Sequence, residues 1–221
     1  MVQFRALHRW DVSVKEAKEL QEQLRCRIVA EDRLPAGIRY VAGVDIGFED
    51  GGKTTKAAVA VLAFPSLEVC EHRVVRAPTT FPYVPGLLSF REVPAAIRVM
   101  EMVKQLPDVV LCDGQGIAHP RRLGLASHLG LALDIPTVGA AKSRLIGTHR
   151  AVPKQKGRSV PLLDGDEQIG IVLRTRTAVK PMFVSIGHKV SLKTARDLVM
   201  GCVTKYRLPE TTRLAHRLAS G

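Results

Sequence analysis

Asp45 and Asp113 are carboxylates set where buried strands should carry apolar side chains. The run Tyr40-Val41-Ala42-Gly43-Val44-Asp45-Ile46-Gly47-Phe48 otherwise reads as a buried strand, rich in β-branched and aromatic residues. Val109-Val110-Leu111-Cys112-Asp113 repeats the pattern, an apolar strand that ends in an acid. Burying an unpaired carboxylate costs several kcal/mol, so each acid needs a cation, a hydrogen-bond donor or a raised pKa. Taken alone, one Asp at a strand end reads as a turn former rather than a ligand. Two in one chain point to acids that meet and share a metal ion. The second also runs on into Gly114-Gln115-Gly116, a loop suited to close backbone approach. A third acid, Glu92, falls in the first turn of an expected helix that packs over the strand ends. Three carboxylates around one crevice suit Mg²⁺, which takes few protein oxygens and keeps waters and substrate phosphates.

The elements that must position these acids follow from pattern. Ser13-Val14-Lys15-Glu16 has capping-box spacing and opens a helix with apolar positions Val14, Ala17, Leu20 and Leu24. A first strand ends at Asp45, and strands at 57–63 and 67–75 complete an antiparallel meander. A helix spans 89–106, a strand 109–113, a second helix runs to Leu133, and a short strand spans 136–140. The basic stretch 148–161, with its Pro and Gly residues, reads as a loop; strands at 168–173 and 182–185 precede a helix capped by Ser191 and a terminal helix over 211–220. The expected fold is α/β: one mixed sheet, an antiparallel meander plus parallel strands, flanked by helices in a single domain over residues 1–221. In such a sheet the crevice at the ends of adjacent central strands is the usual site, and Asp45 and Asp113 would lie side by side there.

Composition narrows the partners. The chain has 221 residues and is 46% hydrophobic, enough for one sizeable core. Its 33 Lys and Arg against 21 Asp and Glu leave a net charge of +12, and the sequence pI is about 10.0. That excess favours a polyanionic partner, since phosphates release counterions to clustered Lys and Arg. A membrane surface is the weaker polyanion, because the longest apolar run, 57–64, is too short to span a bilayer. Cys26, Cys70, Cys112 and Cys202 form no C-x-x-C pair, which argues against zinc. Met1-Val2-Gln3-Phe4-Arg5 begins no apolar signal core, so a cytoplasmic protein with reduced thiols is expected.

At this point the residues resemble a known family. FPYVPGLLSFRE, VAGVDIGF, DGQGIAHPRRLGLASHLGL, the GAAKSRLIG stretch and RLPETTRLAH are together similar to endonuclease V, the deoxyinosine-directed nuclease of DNA repair. The likeness runs from Leu7-His8-Arg9-Trp10-Asp11 to the terminal helix; each motif is weak alone, and five in order are strong. The resemblance implies a ribonuclease H-like fold in which Asp45, Glu92 and Asp113 hold Mg²⁺ or Mn²⁺ and His216 completes the site. It implies that Lys142 lies near the cut phosphate, and that Tyr83, with Pro82, Val84 and Pro85, forms a wedge that holds the DNA strands apart. Leu88, Gly114 and Gly116 match positions lining the pocket for the flipped base. The implied reaction is hydrolysis of the second phosphodiester bond 3′ to a deaminated base, leaving 3′-hydroxyl and 5′-phosphate ends. A monomer acting on DNA with deaminated bases, or on inosine-containing RNA, is the implied setting.

Each residue also has a plainer reading. His216 among Leu214, Ala215 and Leu218 reads on its own as a half-buried surface histidine, and Tyr83 as a packed loop aromatic. Lys142 equally suits a solvated lysine at a helix start. His119, Arg121 and Arg122 read as a phosphate-facing helix start, with a surface charge cluster as the alternative. For the whole chain the alternatives are another ribonuclease H-like nuclease, a binding module without catalysis, or a basic structural protein. The buried acids disfavour the last two, because a site without catalysis has no reason to keep a costly carboxylate cluster.

Overall fold

The computed structural model describes Phe4 and residues 6–220; Met1, Val2, Gln3 and Arg5, read above for a leader, and Gly221 lie outside the described residues. Eight strands form one sheet in the order β3-β2-β1-β4-β5-β8-β7-β6. They are β1 (Tyr40–Glu49), β2 (Thr54–Ala63), β3 (Val69–Pro78), β4 (Val109–Cys112), β5 (Thr137–Ala141), β6 (Ser159–Asp164), β7 (Glu167–Leu173) and β8 (Met182–His188). β1, β2 and β3 make the antiparallel meander, and β4 and β5 extend β1 in parallel, as in the expected ribonuclease H-like arrangement. β8, β7 and β6 continue the sheet antiparallel.

Helices cover both faces. α2 (Leu88–Glu101) and α3 (Leu125–Leu133) bury Val93, Val99, Leu129 and Ala132 against Ala42, Val44 and Val110. On the opposite face α4 (Leu192–Gly201) and α5 (Glu210–Ser220) pack Ala195, Leu198, Leu214 and Leu218 against Val41, Leu111, Val138 and Ala140. Fully burying one such aliphatic side chain is worth roughly 1.5–3 kcal/mol, so this double coverage explains why the central strands read as continuous apolar runs. α1 (Val14–Leu24) starts at the expected capping box, with Ser13 accepting from the Glu16 N–H and Glu16 accepting from the Ser13 N–H. Ser191 likewise caps α4. Among the described residues no helix is long and apolar enough to cross a membrane.

Three expectations are corrected. The first strand does not end at Asp45; β1 runs on to Glu49 because β2 pairs with it along its whole length. Only the parallel partner stops there, its last registered pair being Val44 with Cys112. α2 begins at Leu88, so Glu92 lies in its second turn, not its first. The basic 148–161 stretch is not all loop: it leads into β6, whose Pro161 is tolerated because β6 is the edge of the sheet.

α5 lies unusually close to β1, and two glycines allow it. A Cβ on Gly43 would stand 2.1 Å from the Thr211 backbone, and one on Gly47 would stand 2.7 Å from the Ala219 carbonyl oxygen. Side chains alternate along a strand, so Gly43, Asp45 and Gly47 share one face. The helix therefore beds against the glycines on either side of the acid.

Candidate active site

The close bedding of α5 delivers His216 to Asp45: His216 Nδ1 lies 2.7 Å from Asp45 Oδ2. Asp113 follows the last residue of β4, and its N–H donates to the Val44 carbonyl at 3.2 Å, which sets the two acids on neighbouring strand ends. Lys142 directly follows β5, a strand end and not the helix start allowed for above. Its ammonium pairs with the Asp113 carboxylate and lies 3.4 Å from His216 Nδ1. Alternation along the strands puts Asp45, Asp113 and Lys142 on the α5 face, in line with Val41, Leu111 and Ala140. One ligand atom each from Asp45, Asp113 and His216 lies within 4.8 Å of the others.

Glu92 comes from the opposite face, on α2, and lies outside that tightest group. It is nonetheless close enough for the charges to be felt. Burial, then the Asp45 and Asp113 charges, push its carboxyl up to about 8, with Arg91 opposing. Asp45 is also held above the usual carboxylate range, by burial first and by Asp113 second, with His216 and Lys142 opposing. Two carboxyls raised by burial and by neighbouring aspartates are short of positive charge. The donor chemistry, hard carboxylate oxygens plus one imidazole, fits a divalent cation. Here the Lys142 ammonium supplies part of the charge such an ion would bring.

Beside the acids opens a cavity of about 340 Å³, lined by residues including Leu88, Ser89, Glu92, Asp113, Gly114, Gln115 and Lys142. Leu88 and Gly114 are therefore in its wall. Gly116 is not. A Cβ there would lie 1.9 Å from the Ile186 carbonyl oxygen, and its N–H donates to Ser185 Oγ at 2.9 Å, so it is packed onto β8 behind the wall. Gly116 is a close-approach residue and does not itself line the cavity.

The loop before α2 carries Tyr83 at its tip. Tyr83 is 69% exposed, flanked by exposed Pro82 and Pro85 and half-buried Val84. The reading of Tyr83 as a packed aromatic does not hold, since most of its ring is in solvent. The base of the loop is pinned: the Gly86 carbonyl accepts from His119 Nε2 at 3.0 Å, Arg121 Nη2 at 2.8 Å and Gln21 Nε2 at 3.1 Å. Gly86 has φ +77°, a left-handed conformation that favours glycine.

Those contacts correct the reading of His119, Arg121 and Arg122 as a phosphate-facing helix start. α3 begins only at Leu125, and the three side chains hold the protein together instead. His119 is buried, and burial with the Arg121 charge drives its imidazole down to about 4. Arg122 pairs with Asp164 and Glu167. Two supporting residues escaped the sequence reading. Arg207 donates to the Lys142 carbonyl at 2.6 Å and the Pro181 carbonyl at 2.8 Å, tying the Lys142 backbone to the segment before α5. Gln21, fully buried in α1, was hidden because one polar residue on an amphipathic helix gives no signal.

Comparison with known proteins agrees with this geometry. The sequence profile of the Endonuclease V family matches residues 22–217. An Endonuclease V from Rippkaea orientalis is 58% identical over 208 residues, covering 94% of this chain and 90% of that protein. The crystal structure of the Endonuclease V from Streptomyces avermitilis superposes with a TM-score of 0.92 at 39% identity, covering 99% of this chain and 96% of that one. A Ciona intestinalis Endonuclease V, crystallised with a 23mer DNA containing an inosine followed by a ribo-adenosine, superposes with a TM-score of 0.84 at 28% identity, covering 95% of this chain and 97% of that one. With the family profile spanning most of its length and the same fold in its relatives, this chain is a nuclease that belongs to the endonuclease V family.

Proposed function

We propose that this protein is a metal-dependent endonuclease that recognises deoxyinosine in DNA and hydrolyses the second phosphodiester bond 3′ to it, leaving 3′-hydroxyl and 5′-phosphate ends. The observation that carries the reading is the adjacency of two features: a cluster of Asp45, Asp113 and His216 whose ligand atoms lie within 4.8 Å of one another, and a cavity of about 340 Å³ that shares Asp113 with it and is lined by Glu92 as well. A base flipped out of the stack needs such a pocket beside the chemistry. The inosine-containing DNA held by the Ciona relative supports the choice of base.

In this reading Asp45, Glu92 and Asp113 would hold Mg²⁺, with Mn²⁺ as substitute. The bound ion supplies Lewis acidity, lowering the pKa of the attacking water and stabilising the leaving oxygen. Lys142, paired with Asp113, turns to the scissile phosphate and offsets its developing negative charge. His216 orients or deprotonates the water. Tyr83, on its stiff proline-flanked tip, fills the gap left by the extruded base. The net charge of +12 supplies the phosphate affinity.

The test is a nicking assay on duplexes carrying one deoxyinosine, with and without Mg²⁺, with the cut mapped on both strands. Cleavage at the second 3′ bond that disappears in chelator supports the reading. Equal cutting of an inosine-free duplex would sink it. The ribo-adenosine after the inosine in the Ciona complex keeps a second reading in play, cleavage of inosine-containing RNA. An RNA oligonucleotide in the same assay separates the two.

A further inference from the structure

A chain of hydrogen bonds runs from the N-terminal segment to the pocket wall, and its polarity follows from its first member. His8 Nδ1 lies 2.6 Å from the Arg9 carbonyl oxygen, His8 Nε2 lies 2.8 Å from His128 Nε2, and His128 Nδ1 lies 2.9 Å from Ser89 Oγ. A carbonyl oxygen only accepts, so His8 carries its proton on Nδ1. In a neutral ring that leaves His8 Nε2 as acceptor, and His128 Nε2–H must donate to it. His128 Nδ1 is then an acceptor, and the Ser89 hydroxyl proton is spent on it. Burial disfavours the charged form of both rings, most strongly for His128, with the Arg9 carbonyl opposing it at half-buried His8; with both rings neutral the direction is fixed. Trp10 packs on His8 and on His128, with ring centroids 4.3 and 5.0 Å away, and holds both in place.

Ser89 lines the cavity beside Leu88 and Gly114. With its proton committed, a serine oxygen offers only lone pairs. We propose that Ser89 is a specificity-determining residue that accepts a hydrogen bond from the N1–H of a 6-oxopurine base, with His128 and His8 as the positioning residues that hold it acceptor-only. The proposal rests on the deoxyinosine reading above and extends it to the base edge. Deamination of adenine turns N1 from an acceptor into an N–H donor. An acceptor-only wall therefore welcomes hypoxanthine and sets lone pair against lone pair for adenine, the parent base. Such a repulsive element discriminates as effectively as an added contact. Guanine also carries N1–H, so this group does not distinguish it, and exclusion of guanine falls to the space around C2.

The test joins a structural and a functional readout on the full chain. Long-range ¹H–¹⁵N correlation of the histidine rings in the free protein should find His8 protonated at Nδ1 and His128 at Nε2. Single-stranded oligonucleotides carrying deoxyinosine or deoxynebularine, whose N1 has no hydrogen, are then titrated in Ca²⁺ against the wild type and Ser89→Ala. The substitution should weaken inosine binding by roughly three- to tenfold, the loss of one neutral hydrogen bond, and leave nebularine binding within about twofold. His8→Phe, which keeps an aromatic ring at that position, should reproduce part of the inosine loss and give His128 a mixture of tautomers. Equal losses on the two oligonucleotides, or a His128 proton on Nδ1, would overturn the assignment while leaving the deoxyinosine reading intact. A wild type that bound neither oligonucleotide would overturn both.

Discussion

His216 Nδ1 and Asp45 Oδ2 meet at 2.7 Å across a sequence separation of 171 residues, so the last helix closes the site opened by the first strand. The contact makes α5 part of the candidate metal centre. Mn²⁺ should therefore stabilise the whole fold, by about 2.7 kcal/mol when present at a hundred times its Kd. For a chain of this size that corresponds to a melting shift of roughly 5–10 °C. Asp45→Asn and Asp113→Asn should keep the fold, lose most of that shift and abolish cleavage. A thermal melt in Mn²⁺ that rose as far for Asp113→Asn as for the wild type would remove Asp113 from the metal set.

Lys142 pairs with the Asp113 carboxylate in the metal-free protein, so it competes with a cation for the same oxygens. Lys142→Gln should leave divalent affinity unchanged or tighter. Cleavage should nonetheless fall by about a hundredfold or more, the scale on which one donor to developing negative charge acts. Calorimetric titration of Mn²⁺ alongside single-turnover cleavage separates the two effects. A parallel loss of both would make Lys142 a structural partner of Asp113 alone.

Tyr83 is mostly exposed at the tip of a loop pinned by three donors to the Gly86 carbonyl. A rigid, exposed ring loses little entropy on insertion. Base–aromatic stacking is worth about 1–3 kcal/mol, so Tyr83→Ala should weaken binding to an inosine duplex by roughly tenfold. Inosine in single-stranded DNA needs no strand separation and should lose less. Binding measured in Ca²⁺ on both substrates decides: equal losses mean that Tyr83 contacts the nucleotide without separating strands.

Gly43 admits α5 onto β1, with Thr211 backbone atoms only 2.1 Å from where a Cβ would stand. Backbone cannot rotate away as a side chain can. Gly43→Ala should cost roughly 1–3 kcal/mol by overpacking and lift His216 from Asp45. Activity should then fall by more than the fraction unfolded. A variant destabilised to that extent but fully active at low temperature would show that the seating of α5 does not set the site.

Much of this was legible in the chain because the acids break an otherwise apolar pattern. Asp45, Asp113 and the meander that carries Asp45 follow from acids that break continuous apolar runs, whereas only the bedding of α5 shows what Gly43 and Gly47 do. Strand β6 was not legible from composition, because Pro161 and the flanking basic residues hide it. The Gly165-Asp166 turn, with φ +63° at Gly165, was the usable hairpin signal. His119, Arg121 and Arg122 misled because a basic run reads as a surface. Their partners, Gly86, Gln21, Asp164 and Glu167, lie between 33 and 100 residues away, beyond any local pattern. Gly116 likewise looked like a pocket residue, and only the crossing of β8 behind it shows otherwise.

The buried histidines set how the metal-free protein responds to acid. Burial lowers His8, His128 and His188, and takes His119 down to about 4, all from an ordinary value of 6.5. Below 6.5 the unfolded chain binds protons that these rings refuse while folded. Their contribution is therefore complete above pH 6.5 and is lost as pH falls, for His119 until about 4. Glu92, raised to about 8, and Asp45, also raised, act in the opposite sense, since their folded forms bind protons more readily than the unfolded chain. Each displaced group contributes up to about 1.4 kcal/mol per pH unit, and four histidines displaced downward against two acids displaced upward set the expected direction between pH 6.5 and 5. Carboxylates lowered by their partners, such as Asp32 and Glu71, add to the loss only as pH approaches their ordinary values of 3.8 and 4.5. Urea denaturation in chelator should show stability falling from pH 7 to pH 5. Stability that rose over that interval would mean that the carboxyl cluster dominates, and adding Mn²⁺ at pH 7 should then stabilise the protein more than it does at pH 5.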